Sequence, residues 1–456
     1  MTKDMTTGSP MKNILRFCLP LMVGNLFQQF YNMADIIIVG RFVGKTALSA
    51  VGSVGSLNFL VIGSVIGLCT GFSVPVAQRF GAQDEKGLKK YVANITYVSV
   101  VLGVVLTLGA VLLTNPLLKL LNTPEDIYTD AYNYIIIIFA GIGATMFYNL
   151  LAALVRSLGD SRTPLYFLLF SSVLNIGLDI LLITVFHMGV RGAAVATVVS
   201  QFISGVLCFI YVKRSFPVLH VTKETRAIDF SFIKNLLSNG LPMAMQFSIT
   251  AIGSVMLQSC VNGLGADAIA AVTIGGKTQL MIVLPSETIG AAMTTYCGQN
   301  LGAGKYDRIK KGIGRGVILA ACYTVIGMCV ANFLGPYISQ LFIDGSETTV
   351  IGLAQQYISM GSYFYLILSL LFLFRNSLQG LGYSAVAMFA GIFELVARAI
   401  MGFGFVNTLG YAAACVANPV AWVAADLFLI PAYFVMMKKV KKKLQIANGK
   451  LQIKER

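Results

Sequence analysis

Charge is scarce in this chain. Asp, Glu, Lys and Arg make up 12% of its 456 residues, about half the share of a soluble domain. Histidine is scarcer still: there are two, His187 and His220, and both fall in loops between apolar stretches. A membrane-embedded enzyme would need a His/Cys metal set or an activated nucleophile. Neither histidine lies in a span, so the chain does not read as an enzyme. The eight cysteines (18, 69, 208, 260, 297, 322, 329 and 415) form no C-x-x-C pair. Neither a disulfide framework nor a zinc site is suggested. Also missing is a compact apolar core followed by a small-residue cleavage site, so no removable signal peptide is expected. The first span is expected both to target the chain and to stay.

Apolar length is what the chain has instead. The set AVILMFWYC supplies 56% of the residues, and mean hydropathy is +0.77. Breaking the sequence at Gly, Pro and charge clusters predicts about twelve helices. They cover residues 14–39, 47–77, 91–114, 129–155, 163–185, 190–213, 235–261, 268–297, 313–334, 354–378, 385–406 and 411–436. Several exceed the roughly 20 residues a bilayer requires, which implies tilt. The fold class is all-α, integral to the membrane.

The net charge of +15 does not point to nucleic acid, because the basic residues sit in short loops beside apolar spans. With the N-terminus inside, 28 of the 34 Lys and Arg fall on the cytoplasmic side, Arg156 and Arg375 counted among them. Arg41, Lys45, Lys119 and Arg191 fall outside, and Lys277 and Arg398 are embedded. This asymmetry places both termini in the cytoplasm of a bacterial-type cell membrane.

The chain repeats itself. "KNILRFCLP" at 12–20 matches "KNLLSNGLP" at 234–242, and "ALSAV" at 47–51 matches "AIAAV" at 268–272. "QRFGAQ" at 78–83 matches "QNLGAG" at 299–304, and "SLGDS" at 157–161 matches "GLGYS" at 380–384. The expected organisation is a six-helix lobe over 1–213, a cytoplasmic linker over 214–231, a second six-helix lobe over 232–437 and a basic tail over 438–456. Parallel repeats of this kind are a transporter architecture, with a cavity between lobes.

Five acids lie inside predicted spans: Asp35, Asp179, Glu287, Glu394 and Asp426. A charged Asp at a helix centre costs roughly 2.5–3.5 kcal/mol on insertion scales, so such residues usually face a cavity or a partner. On the first helix Asn25, Gln28, Asn32 and Asp35 recur at steps of three and four, with Tyr31 beside them. The fifth helix places Asn175 and Asp179 at i, i+4, and the sixth does the same with Thr197 and Gln201. Two carboxylates, an amide and a hydroxyl can converge in one lobe. Carboxylates held close together cannot both ionise cheaply, which suits a proton site; the oxygen ligands equally suit Na⁺. Glu394 and Arg398, again i, i+4, read as an ion pair of the second lobe. A pairing of Lys277 with Glu287 is left open, and the role of Asp426 with it.

The segments "LPLMVGNLFQQFYNMADIIIVGRFVGKTALSAVG", "VAQRFGAQDEKG", "RSLGDSRTPLY", "NIGLDILLI", "GVRGAAVATVVSQ" and "CGQNLGAGKYDRIKKG" occur in this order. Together they make residues 10–440 resemble the MATE (multidrug and toxic compound extrusion) transporters. The resemblance implies a twelve-helix, two-lobe antiporter exporting organic cations against inflow of H⁺ or Na⁺. It also implies a cation site at Asp35, Asn175, Asp179 and Thr197. One branch of that family couples through a glutamate on helix 7, but here the helix reads "GLPMAMQFSITAIGSVMLQSC", without an acid. Gln28, Tyr31, Asn32, Gln201, Gln246 and Glu287 are candidates to line the substrate cavity. Expected partners are a small organic cation and the bilayer, with no cofactor beyond the coupling ion and a monomeric state. The alternative is a flippase for lipids or lipid-linked saccharides of similar two-lobe build; acids outnumbering bases in the spans argue for cationic or neutral cargo.

Overall fold

A computed structural model of the protein describes residues 3–343 and 345–454. The basic tail expected over 438–456 therefore ends, at Arg456, outside the described residues. Among those residues the chain is helical and has no strand. Twelve helical segments follow one another: α1 (Pro10–Phe42), α2 (Gly55–Gly81, preceded by the short helix Lys45–Ser53) and α3 (Glu85–Leu120). Next comes α4, in two pieces (Glu125–Ala140 and Ile142–Ser157), then α5 (Arg162–Val185) and α6 (Val190–Ser215). The second series is α7 (Phe230–Val261), α8 (Ala266–Gly302), α9 (Tyr306–Ser339), α10 (Thr348–Ser362 and Tyr365–Gly380), α11 (Ser384–Phe405) and α12 (Tyr411–Lys454).

Nine of these helices, and the bent pairs α4 and α10, are long and apolar enough to cross a bilayer. The helix outside that set is α1. At 33 residues it has the length, but its run of Asn, Gln and Asp side chains lowers its hydropathy. The feature that singles α1 out chemically is thus also the one that keeps it out of that set.

The repeat shows in the backbone. α4 bends by 48° at Gly141 and α10 by 56° at the matching place. Gly159 and Gly382, from the matched "SLGDS" and "GLGYS" segments, turn at φ +82° and +83°, a left-handed conformation that glycine adopts without steric cost. At the matched ends of "QRFGAQ" and "QNLGAG" the same conformation falls on Gln83 in the first copy (φ 55°) and Gly304 in the second (φ 70°). α5 and α11 both end in a π-helix, Leu181–Val185 and Ile400–Phe405, and a third π segment, Val330–Leu334, lies in α9.

Contacts group the chain into two compact units: residues 1–4 with 19–248, and residues 5–18 with 249–456. In the first unit, Gly63, Gly67 and Gly71 stand on one face of α2 and meet the first half of α7. An added Cβ on Gly67 would lie 2.7 Å from the Met243 carbonyl oxygen, and one on Gly71 would lie 2.5 Å from the Gly240 Cα. Between apolar helices in lipid, such small residues let backbones approach and gain dispersion contacts that bulkier side chains would prevent. This seam is why α7 begins in the first unit. In the second unit, Met5–Gly8 is held by polar bonds. Arg308 donates to the carbonyls of Met5, Thr7 and Gly8, Lys305 donates to that of Thr6, and Gln299 accepts from the Met5 N–H.

Candidate functional site

Asp35 on α1 is 8% exposed and Asp179 on α5 is fully buried. Their carboxyl groups lie within hydrogen-bonding reach of each other. One oxygen of each, Oδ1, has no hydrogen-bond partner among the described residues. Asn175 stands one turn before Asp179 on the same face of α5. With its amide turned to suit both neighbours, Nδ2 donates to Asp179 Oδ2 at 3.0 Å and Oδ1 accepts from the Thr197 N–H at 3.1 Å. The Tyr31 hydroxyl reaches Thr197 on α6. The i, i+4 spacing on α5 and the three-and-four spacing on α1 thus bring Tyr31, Asp35, Asn175, Asp179 and Thr197 to one place. The π-helix Leu181–Val185 begins two residues after Asp179; such segments recur at functional sites because they re-aim the side chains around them.

No Lys or Arg is among the groups that dominate the electrostatics of either carboxyl. Two carboxyl groups so placed need a shared proton or a cation to neutralise them. The donor set fits either. Asp35 Oδ1 and Asp179 Oδ1 are uncommitted oxygens, and Asn175 and Thr197 add an amide and a hydroxyl oxygen, the hard ligands that alkali cations take.

Other candidates sit elsewhere. Gln28 and Asn32 are exposed along α1, and Gln201 accepts from the Thr145 hydroxyl at 2.6 Å rather than joining the carboxyl pair. Gln246, half-buried on α7, lies in the first unit. Tyr134 on α4, buried at 6% exposure, faces Asp35, Tyr31 and Asp179 and escaped the sequence reading. It stands in "AYNYIIII", where a tyrosine in an apolar run carries no periodic signal.

The second unit corrects one expectation. The sequence assigns Arg375, near the end of the predicted span 354–378, to the cytoplasmic side, but it is 5% exposed on α10 and donates to Glu394. Arg398 Nη2 donates to the other Glu394 oxygen at 3.1 Å, as the spacing predicted. The pair is therefore a triad, one carboxylate between two guanidiniums. Glu394 offsets one of the two buried positive charges, and Asp426 and Glu287 lie within electrostatic reach of Arg375. The lone Arg in "LFLFRNSLQG" was the available signal. Arg398 Nε also donates to Asn418 Oδ1 at 3.0 Å, and Asn418 donates to the Tyr357 hydroxyl at 3.0 Å. Asp426 is buried near Arg375, with neither oxygen hydrogen-bonded among the described residues. Glu287 is exposed on α8, within electrostatic reach of Arg375. Lys277 lies 5.8 Å over the Phe342 ring and forms no ion pair with Glu287 among the described residues.

The family model MatE matches twice, over residues 20–181 and 242–403. Both matches are displaced by 222 residues, the spacing of the internal repeat. The chain is 30% identical over 382 residues to the probable multidrug resistance protein YpnP of Bacillus subtilis (strain 168), covering 83% of this chain and 84% of that protein. It is 28% identical over 370 residues to the probable multidrug resistance protein YoeA of the same organism, covering 80% of each. A solved structure described as the outward-facing conformation of a multidrug resistance MATE family transporter of the MOP superfamily superposes with a TM-score of 0.88. It is 22% identical and covers 96% of this chain and 98% of that one, a likeness of fold.

Proposed function

This chain belongs to the MatE family, whose members are multi-pass membrane transporters, and we propose that it exports organic cations in exchange for H⁺ or Na⁺ bound at Asp35 and Asp179. The observation that carries the reading is the carboxyl pair: two buried acids within hydrogen-bonding reach, with no basic side chain dominating their surroundings and an oxygen on each uncommitted. The multidrug-resistance names of the curated relatives support small-molecule export and do not favour the flippase alternative. The basic loops, with Lys86, Lys223 and Lys310 exposed, support cytoplasmic termini.

In this reading the pair holds one net negative charge when it carries a single proton, and that charge attracts a cationic substrate. A second proton, or Na⁺ on the Asp35, Asp179, Asn175 and Thr197 oxygens, neutralises it and loosens the substrate. An inside-negative potential favours inward release of the ion by roughly 2.3 kcal/mol per charge per 100 mV. Tyr31 and Asn175 fix the position of Thr197 and Asp179, so the ion meets a pre-formed oxygen set.

The test is efflux of a fluorescent organic cation from liposomes holding purified protein, with Na⁺ and pH gradients imposed separately. Asp35→Asn imitates a permanently protonated carboxyl. It should insert and fold, because it removes a charge from the span, yet lose gradient-driven efflux. Asp179→Asn should weaken efflux as well. Wild-type rates from Asp35→Asn would refute the coupling role.

A further inference from the structure

We propose that a second polar pocket of the first unit, built around Arg156, binds a phosphate-type oxyanion. The cavity measures about 70 Å³ and is lined by α1, the second piece of α4 and the start of α5. Its polar lining is Asn25, Gln28, Tyr148, Asn149, Arg156 and Ser161. Pockets for drug-sized ligands run to about 300–1,000 Å³, so this one suits a single phosphate, sulfate or carboxylate group and not a whole substrate. It lies two to three turns along α1 from Asp35, roughly 10–15 Å at 1.5 Å per residue, and the inference stands independently of the carboxyl pair.

The argument starts from an unpaired charge. Arg156 is half-buried in the last turn of α4. Its guanidinium makes no hydrogen bond or ion pair with any described residue, while its carbonyl accepts from the Gly159 N–H at 2.9 Å. The groups that dominate its electrostatic surroundings are Tyr148, Cys69 and Cys208, all of them uncharged at neutral pH. The nearest acid along the chain, Asp160, is already committed. Its Oδ1 accepts from the N–H groups of Arg162 (2.9 Å) and Thr163 (3.2 Å), and its Oδ2 accepts from the Thr163 hydroxyl (2.8 Å). A half-buried guanidinium lining a small polar pocket without a counter-charge calls for an anion. The C-terminal dipole of α4 answers that call only in part, since it is worth about 0.3–1 kcal/mol.

The neighbouring donors are free to complete a site. Ser161 is the residue before the first turn of α5, where a hydroxyl commonly caps the helix, yet it makes no capping bond. The amides of Asn25 and Gln28 form no hydrogen bond among the described residues. By contrast the Tyr148 hydroxyl is spent on the Pro164 carbonyl at 3.3 Å, and Asn149 Nδ2 on the Thr145 carbonyl at 2.8 Å. One guanidinium, two amide N–H₂ groups and a hydroxyl form an oxyanion receptor; Arg can meet two oxygens at once. The same phosphate chemistry is offered by the headgroup of an anionic bilayer lipid and by free phosphate.

Thermal unfolding of the purified full-length protein in a neutral detergent separates these sources. Potassium phosphate is compared with potassium chloride at equal ionic strength, and phosphatidylglycerol with phosphatidylcholine. The wild type should show a saturable rise in Tm of about 2–4 °C with at least one of the two probes. A response to phosphate identifies a free anion; a response to phosphatidylglycerol alone identifies a lipid headgroup. Arg156→Gln should abolish the rise and, having removed an uncompensated charge, should be no less stable than wild type without ligand. Asn25→Ala with Ser161→Ala should raise the half-saturating concentration at least fivefold, and Arg162→Gln, an exposed arginine nearby, should leave it unchanged. No saturable rise with either probe, or a wild-type rise in Arg156→Gln, would overturn the proposal.

Discussion

Glu394 should be the residue on which the second unit depends most for stability. It accepts from Arg375 with one oxygen and from Arg398 with the other, and all three side chains are at most 7% exposed. Glu394→Gln leaves two buried guanidiniums facing each other with no carboxylate between them. Breaking a buried pair from one side costs about 3–5 kcal/mol. Spread over a chain of 456 residues, whose unfolding entropy scales with length, that corresponds to a fall in Tm of about 3–5 °C. Arg398→Met is milder. Glu394 keeps the Arg375 charge, and the losses are the donors to its second oxygen and to Asn418 Oδ1, about 1–3 kcal/mol. The double variant Glu394→Gln with Arg398→Met leaves a single guanidinium, Arg375, with Asp426 and Glu287 in electrostatic reach. It should therefore unfold between the two single variants. The assay is the fraction of monodisperse protein remaining after heating, read by size-exclusion chromatography. A Glu394→Gln protein that unfolds with the wild type, or an Arg398→Met protein less stable than Glu394→Gln, would refute this account.

Gly71→Ala should destabilise the seam between α2 and α7 by about 1–3 kcal/mol, since the new methyl would meet backbone that cannot move aside; Gly52→Ala, which meets nothing within 4 Å, is the control, and Tm comparison checks both. Single cysteines at Lys86, Lys223 and Lys310, all exposed, should stay unlabelled by a membrane-impermeant maleimide in intact cells once Cys322 and Cys329 are replaced. Labelling at any of the three would invert the proposed topology.

The sequence by itself determined what is local and periodic. Apolar runs of bilayer length mark the spans, because a spanning backbone has to satisfy its own polar groups as helix. The 222-residue recurrence marks the duplication. The three-and-four spacing on α1 and the i, i+4 pairs on α5, α6 and α11 mark faces, because side-chain direction follows from helix geometry. Tertiary structure decided which faces meet. That Asp35 meets Asp179 while Gln201 turns to Thr145 depends on how α1, α4, α5 and α6 pack, and the periodicity of one helix says nothing of its neighbour. Tyr134 joins the carboxyl pair for the same reason. Arg375 looks from its position like a charge at a helix end; only the approach of α11 supplies Glu394 and makes its burial tolerable. The unit boundary inside α7 likewise follows from the glycine face of α2, a contact between segments about 170 residues apart, whose energy comes from close backbone packing that neither segment encodes alone.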